Sequence, residues 1–193
     1  MEIRITESRR QSKTKYRKQL SDILLETALI GLTAGAGLWL VLEMLTESGQ
    51  MLPLLGSILL TALLCSVTER MEKCGIYIRC GMAAATAGGL FLLYRQILDG
   101  FALYWNTVAD TFGSRAGIYF TRFDTADIMA EDTARLVFLI YLGMAAAVIG
   151  FLILRFRIYV LVFLEIFVLP FMMVLTGKEP ESGVGVAFYM GIF

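Results

Sequence analysis

The pattern of apolar and polar residues divides the chain into long apolar blocks separated by shorter polar connections. Blocks of about 17 to 25 residues have the length needed to cross about 30 Å of hydrocarbon as a helix. The fold class predicted is all-α, a polytopic transmembrane helix bundle of five spans and a truncated sixth. The spans are predicted at about residues 23–45, 51–67, 76–93, 136–154 and 158–175, with the partial span at 184–193.

The last apolar stretch bears on whether the chain continues. The charged turn TGKEPESG is followed by VGVAFYMGIF, only ten residues, whereas a transmembrane helix needs about twenty. The pattern therefore predicts that the sequence is the N-terminal part of a longer membrane protein, interrupted in a sixth span. A chain that ends in a re-entrant or interfacial tail is the alternative.

The connection at residues 94–135 is the largest polar segment after the N-terminal tail. At 100° per residue its apolar side chains share an arc of about 120°, which predicts an extracytoplasmic amphipathic helix of about five turns. Gly113 or Gly117 is predicted to end it. The helix caps the bundle, lies flat on the bilayer or receives a protein partner; its acidic polar face favours capping. Its predicted interface residues are Phe101, Trp105 and Phe112, beside Leu98, Ala102, Val108 and Ala109, with Leu103 and Ile97 as apolar exceptions.

Lysine and arginine residues predict the orientation. Residues 1–22 form a basic tail, and by parity the basic residues of two later connections fall on the same side. The positive-inside rule then places the N-terminus in the cytoplasm and residues 94–135 outside. The prediction is a multi-pass protein of the plasma membrane without a cleaved signal peptide. Its partner is the lipid bilayer, and no nucleic acid is predicted. The basic residues are Arg70, Lys73, Arg79, Arg155 and Arg157.

Composition narrows the chemistry. The chain is 58% hydrophobic, its 17 basic and 17 acidic residues balance, and it has no histidine. The usual general base and the commonest metal ligand are thus missing. Cys65, Cys74 and Cys80 lack CxxC spacing and are predicted to be free thiols. We therefore predict no catalytic residues, no cofactor and no metal site in these residues.

One carboxylate lies deep in a predicted span. Glu165 is about 10 Å below the boundary of the fifth span at 1.5 Å per residue. An unpaired charge there costs at least about 2.5 kcal/mol, so a partner is expected. Arg79, Arg155 and Arg157 are the candidates for an intramembrane polar pair. Structural pairing is favoured over a proton or cation site, because few polar groups lie at matching depth.

A local resemblance extends from Leu92 to Thr125. The segment LLYRQILDGFALYWNTVADTFGSRAGIYFTRFDT resembles the pattern ILxGFxxxxNxxxDxxGxxxGxxxxRF of the N-terminal membrane regions of bacterial transglutaminase-like membrane proteins. The resemblance implies a multi-span bundle followed by an extracytoplasmic transglutaminase-like domain with a Cys-His-Asp triad. That triad has no counterpart among the residues of this chain.

These observations favour a non-catalytic membrane anchor or assembly module, whose outer connection positions an extracytoplasmic domain or partner. A small transporter or channel subunit that uses Glu165 is the alternative. An integral membrane enzyme acting on lipid is a third hypothesis, with only the acids from Asp124 to Asp132 near an interface. Those acids are better explained as a solvated loop and the first turn of a helix.

Overall fold

The computed structural model describes residues 18–45, 51–71, 74–128 and 130–157. This part of the chain is helical and contains no strand. Helix α1 covers residues 18–45 and includes a π-helical turn, Gly31–Gly35. The others are α2 (Met51–Glu69), α3 (Gly75–Leu92), α4 (Tyr94–Ala116) and α5 (Glu131–Phe156).

Four of these helices, α1, α2, α3 and α5, are long and apolar enough to cross a membrane. The prediction of an all-α fold is therefore confirmed for the described residues, and the four helices fit a multi-pass membrane protein. The predicted spans at 158–175 and 184–193, and the tail up to residue 17, lie outside the described residues. Helix α5 begins at Glu131, earlier than the predicted 136. Glu131 and Asp132 occupy its first turn, where the helix dipole favours acids, as the sequence predicted.

The core lies between α1, α2 and α5, with one contribution from α4. Helix α5 is the central element, since its contacts with α2 and α4 are the most extensive in the described part. Eight of the buried side chains form one apolar cluster. Its members are Ile30, Leu42, Leu54, Ile58, Ala62, Tyr104, Leu139 and Ala147.

Glycines let these helices approach closely. A Cβ atom added at Gly143 of α5 would lie 2.9 Å from the carbonyl oxygen of Leu54 and would also meet the Ser57 hydroxyl. One added at Gly150 would lie 3.3 Å from Ile30, and one at Gly35 would lie 3.2 Å from Leu55. Close backbone approach through small residues is a common way to pack membrane helices, because it maximises van der Waals contact.

Helix α3 differs from the other spans. It makes few contacts with α2 and α4. A Cβ atom added at Gly81 or Gly88 would meet no atom within 4 Å. Its large apolar side chains are exposed, including Ile76, Tyr77 and Phe91. Within the described residues, α3 is a peripheral helix whose surface faces away from the core.

The two ends of the bundle contain different parts of the chain, and we call them the cap end and the tail end. At the cap end, α1 ends, α2 and α5 begin, and α4 adds Tyr104 to the core. At the tail end, α1 begins, α2 and α5 end, and α3 begins beside the carbonyl of Thr68. This alternation is the arrangement expected of consecutive antiparallel spans.

Candidate functional site

Helix α4 is the largest element of the cap end. Only Leu93 separates it from α3, and it ends where Gly117 adopts a left-handed conformation with φ of 67°. Glycine reaches this conformation without a Cβ clash, so it ends the helix and turns the chain back. Of the two glycines that the sequence offered for this role, the structure uses the second.

Helix α4 contacts α5 through Gly100, in the N-terminal half of the helix. A Cβ atom on Gly100 would lie 2.5 Å from the Cβ atom of Phe138 and would meet the carbonyl oxygen of Ala134. One turn later, Leu103 is 8% exposed and Tyr104 is 6% exposed. Leu98, expected on the apolar face, is 58% exposed. The predicted apolar face is therefore covered in part, since its residue Ala109 is 5% exposed, and Leu103 and Tyr104 outside that face are buried as well.

The aromatic face of α4 is covered by the residues that follow the helix. We call residues 117–125 the strap, since they fold back along α4. The Asn106 side chain donates a hydrogen bond to the carbonyl of Phe123 and accepts one from its amide, both at 2.9 Å. The Trp105 indole N–H donates to the carbonyl of Thr121 at 2.9 Å. Two polar side chains of α4 thus hold the backbone of the strap.

Aromatic rings fill the space between α4, the strap and α5. Phe101 lies 5.9 Å from Phe123 of the strap and 6.1 Å from Phe138 of α5, measured between ring centroids. Trp105 contacts Phe120 at 5.8 Å with edge-to-face geometry. Such pairs contribute about 0.5–1.5 kcal/mol beyond their buried area. The predicted interface residues Phe101, Trp105 and Phe112 therefore contact the protein's own strap, and Phe112 does so through Phe120.

An ion pair joins the polar side of α4 to the strap. The Arg122 guanidinium contacts the Asp110 carboxylate, and both side chains are more than half exposed. An exposed pair of this kind contributes about 0.2–1 kcal/mol. Its main effect is to fix the position of the strap along the helix.

A recess of 670 Å³ lies beside the C-terminal half of α4. The hydroxyls of Thr107 and Ser114 donate to carbonyls of their own helix, so their oxygens remain as acceptors towards the recess. With the Asp110–Arg122 pair, the wall offers charges of both signs and acceptor oxygens. Such a surface suits a polar protein segment. Thr111, Gly113, Arg115, Tyr119 and Phe120 also line the recess.

The tail end carries a network of ion pairs. Arg70 of α2 contacts Glu26 at 3.2 Å and Asp22 at 3.6 Å, both on α1. The Arg155 Nε of α5 lies 2.8 Å from the Glu69 carboxylate of α2. These pairs tie together three helices around a recess of 370 Å³.

The structure describes the three arginines predicted as partners of Glu165. Arg155 binds Glu69, as above, and the Arg79 Nε donates to the carbonyl of Gly75 in its own helix at 3.3 Å. Arg157 follows the last turn of α5 with a positive φ of 54°. Glu165 lies outside the described residues.

Three features of the two ends were missed by sequence reasoning. They are the insertion of Tyr104 into the core, the strap, and the pairing of Arg70 with α1. For Arg70 the sequence held a signal. Arg70, Asp22 and Glu26 all lie near span ends on the same predicted side of the membrane, where opposite charges can meet. The strap had only the spacing of its aromatic residues, which does not set a register.

The cap end presents polar groups beside apolar side chains. Within the described residues, no group of three or more histidine, cysteine or acidic side chains is arranged to hold a metal ion. The thiols of Cys65, Cys74 and Cys80 are free. What the cap offers is a polar surface beside an apolar one.

Comparison of the chain with protein-family models, curated proteins and solved structures gave no match.

Proposed function

We propose that this protein is a non-catalytic membrane anchor or assembly module, and that α4 and the strap form a platform for an extracytoplasmic domain or protein. The observation that carries the proposal is the attachment of α4 to the core. Gly100 allows contact with α5 and Tyr104 enters the central cluster. A platform must be held rigidly if it is to position something else, because loose attachment costs ordering entropy on binding.

The polar recess beside Thr107 and Ser114 supports this role. Its lining is open, carries both signs of charge and presents acceptor oxygens. Interfaces between domains of one chain are typically polar in this way. The platform therefore fits a folded domain or a polar loop better than an apolar small molecule.

The proposal also covers the orientation of the protein in the membrane and the identity of the domain that the platform positions, which we call the client. The basic N-terminal tail favours a cytoplasmic N-terminus, so that the cap end lies outside the cytoplasm. The sequence pattern from Leu92 to Thr125 favours a bacterial protein with a transglutaminase-like client domain in a longer parent chain. In that arrangement the bundle anchors the domain and the recess sets its position.

Reading the gene beyond codon 193 tests the client directly. Further spans and a domain with a Cys-His-Asp triad are expected. A stop codon there would contradict the proposed parent chain.

Cysteine labelling tests the platform. The native cysteines are replaced by alanine, and Ser114→Cys in the recess is compared with Gln96→Cys, an exposed position in the first turns of α4. In membranes with the full gene product, Ser114→Cys should react with a membrane-impermeant maleimide several-fold more slowly than in the chain that ends at Phe193. Gln96→Cys should react at the same rate in both. If the rate at Ser114→Cys is also unchanged, the recess does not receive the client.

A further inference from the structure

The strap covers an apolar surface of α4 and exposes apolar side chains of its own. It covers Trp105 of α4, and its exposed apolar side chains lie beside the polar Thr121, Arg122 and Asp124: Ile118 is 43% exposed, Tyr119 86% and Phe123 49%. Ile118 and Tyr119 are consecutive, and Phe123, four residues later, contacts Phe101 of the aromatic cluster. Covering the aromatic face therefore did not make the cap end polar.

The apolar surface continues onto the uncovered part of α4. Tyr94, Leu98, Phe101 and Trp105 fall within an arc of about 60° at 100° per residue. The strap meets this arc at Phe101, through Phe123, and Leu98 and Tyr94 beyond it are exposed. One continuous surface thus extends from the first turn of α4 to the end of the strap. We call it the apolar margin; it consists of Tyr94, Leu98, Phe101, Ile118 and Phe123.

The position of the apolar margin indicates what covers it. Helix α3 is apolar enough to span a membrane and ends at Leu92, and α4 begins two residues later. Phe91 and Leu92, about 80% exposed, continue the same apolar character on α3. The margin therefore starts where a spanning helix leaves the hydrocarbon. Tyrosine, tryptophan and phenylalanine at that depth are typical of the bilayer interface.

We propose that the apolar margin rests in the headgroup and upper acyl region of the bilayer that holds α1, α2, α3 and α5. The platform then lies in the membrane surface, with the strap inserted and the recess facing water. Thr107 and Ser114 lie on the opposite side of α4 from Leu98 and Trp105, the same side as Gly100, so the recess is turned away from the apolar margin.

Burial of aromatic and aliphatic side chains, and not attraction to anionic lipid, provides the binding. The charged groups around the strap are mixed: Arg115 and Arg122 are basic, and Asp110, Asp124 and Asp127 are acidic. Interfacial helices that depend on anionic lipid carry a surplus of lysine and arginine. Insertion should therefore be the same in neutral and anionic bilayers.

Spin-label accessibility in nanodiscs tests the proposal. In the chain with its three cysteines replaced by alanine, labels are placed at Leu98→Cys and Ile118→Cys in the apolar margin, and at Ser114→Cys in the recess. Oxygen, which concentrates in lipid, should collide with the first two labels, and a nickel chelate should reach them several-fold less often than Ser114→Cys. The result should be equal in phosphatidylcholine and in phosphatidylcholine mixed with phosphatidylglycerol.

Two outcomes would overturn the proposal. Equal access of the nickel chelate to all three labels would mean that the strap faces water, as it would if it bound a protein. Insertion only in the anionic bilayer would mean that charge provides the binding.

A label-free measurement covers the case of a variant that does not fold. With Trp39→Phe, fluorescence of Trp105 should be quenched more by lipids brominated near the headgroup than by lipids brominated at mid-chain, and absence of quenching by either would contradict insertion.

Discussion

Helices α3 and α5 carry the same small-residue pattern and use it differently. Gly81, Ala84, Ala85 and Gly88 share one face of α3, and Gly143, Ala147 and Gly150 share one face of α5. On α5 these residues meet Leu54, Ile58 and Ile30, and Ala147 is fully buried. On α3 neither glycine has an atom within 4 Å of an added Cβ.

This difference teaches that small-residue spacing permits close packing but does not choose the helices that pack. Helix α5 has partners on both sides, α2 in the bundle and α4 at the cap end. Helix α3 is attached mainly through its ends, at Thr68 for Gly75 and at Tyr141 for Gly89. The same substitution should therefore have large effects on α5 and small effects on α3.

The largest effect is expected at Gly143. Gly143→Leu places a side chain against the backbone carbonyl of Leu54, which cannot move without shifting α2. Overpacking of this kind should lower the free energy of unfolding by about 3 kcal/mol. Gly81→Leu is the matched control and should change it little. Unfolding by denaturant in mixed micelles gives both values, and equal losses would show that α3 is as tightly packed as α5.

The next effect concerns the contact between α4 and α5. Gly100→Val should push α4 away from Ala134 and Phe138 and cost about 2 kcal/mol through overpacking. Because this contact holds the cap end, amide hydrogens of α4 should exchange faster while those of α2 are unchanged. Gly88→Val on α3 serves as the control. If the exchange of α4 is unaltered by Gly100→Val, the attachment of the platform depends on other contacts.

A smaller effect is expected from the strap. Asn106→Ala removes both hydrogen bonds to Phe123, each with a net contribution of about 0.5–1.5 kcal/mol. Hydrogen exchange at the Phe123 amide should accelerate, since its acceptor is lost, while α5 keeps its protection. Gln96→Ala, on an exposed position of α4, should leave the Phe123 amide unchanged. Continued protection in Asn106→Ala would mean that the aromatic contacts alone hold the strap.

The smallest effect is expected at the tail end. Arg155→Ala on α5 removes the contact with Glu69, and a double-mutant cycle with Glu69→Ala should give a coupling of about 0.2–1 kcal/mol that weakens with salt. Arg79→Ala on α3 should show no coupling to Glu69, because the Arg79 Nε donates to a carbonyl of its own helix. A coupling of Arg79 as large as that of Arg155 would contradict the described geometry.

Two cap-end features show how far local sequence reasoning reached. The sequence predicts Gly113 or Gly117 as the end of α4, because the residue that follows a helix often adopts a left-handed conformation, which glycine reaches most easily. The acids at Glu131 and Asp132 were assigned to a first turn for a similarly local reason, the helix dipole. The apolar arc that the sequence predicts for α4 is covered by protein only in part: Ala109 is 5% exposed and Phe101 contacts Phe138 of α5, whereas Leu98 is 58% exposed. An apolar arc shows which residues a helix can bury. Leu103 and Tyr104 are buried because they lie next to the close contact at Gly100.

The sequence by itself determined that the chain forms long apolar helices, because its apolar blocks have the length needed to span a membrane as helices. It also determined where helices α2 to α5 lie, to within a few residues. Only the tertiary structure decided which glycines pack, which arginine meets which acid, and that the strap folds back over Trp105. Those choices depend on contacts between residues distant along the chain, such as Arg70 with Glu26, and one-dimensional periodicity does not specify them.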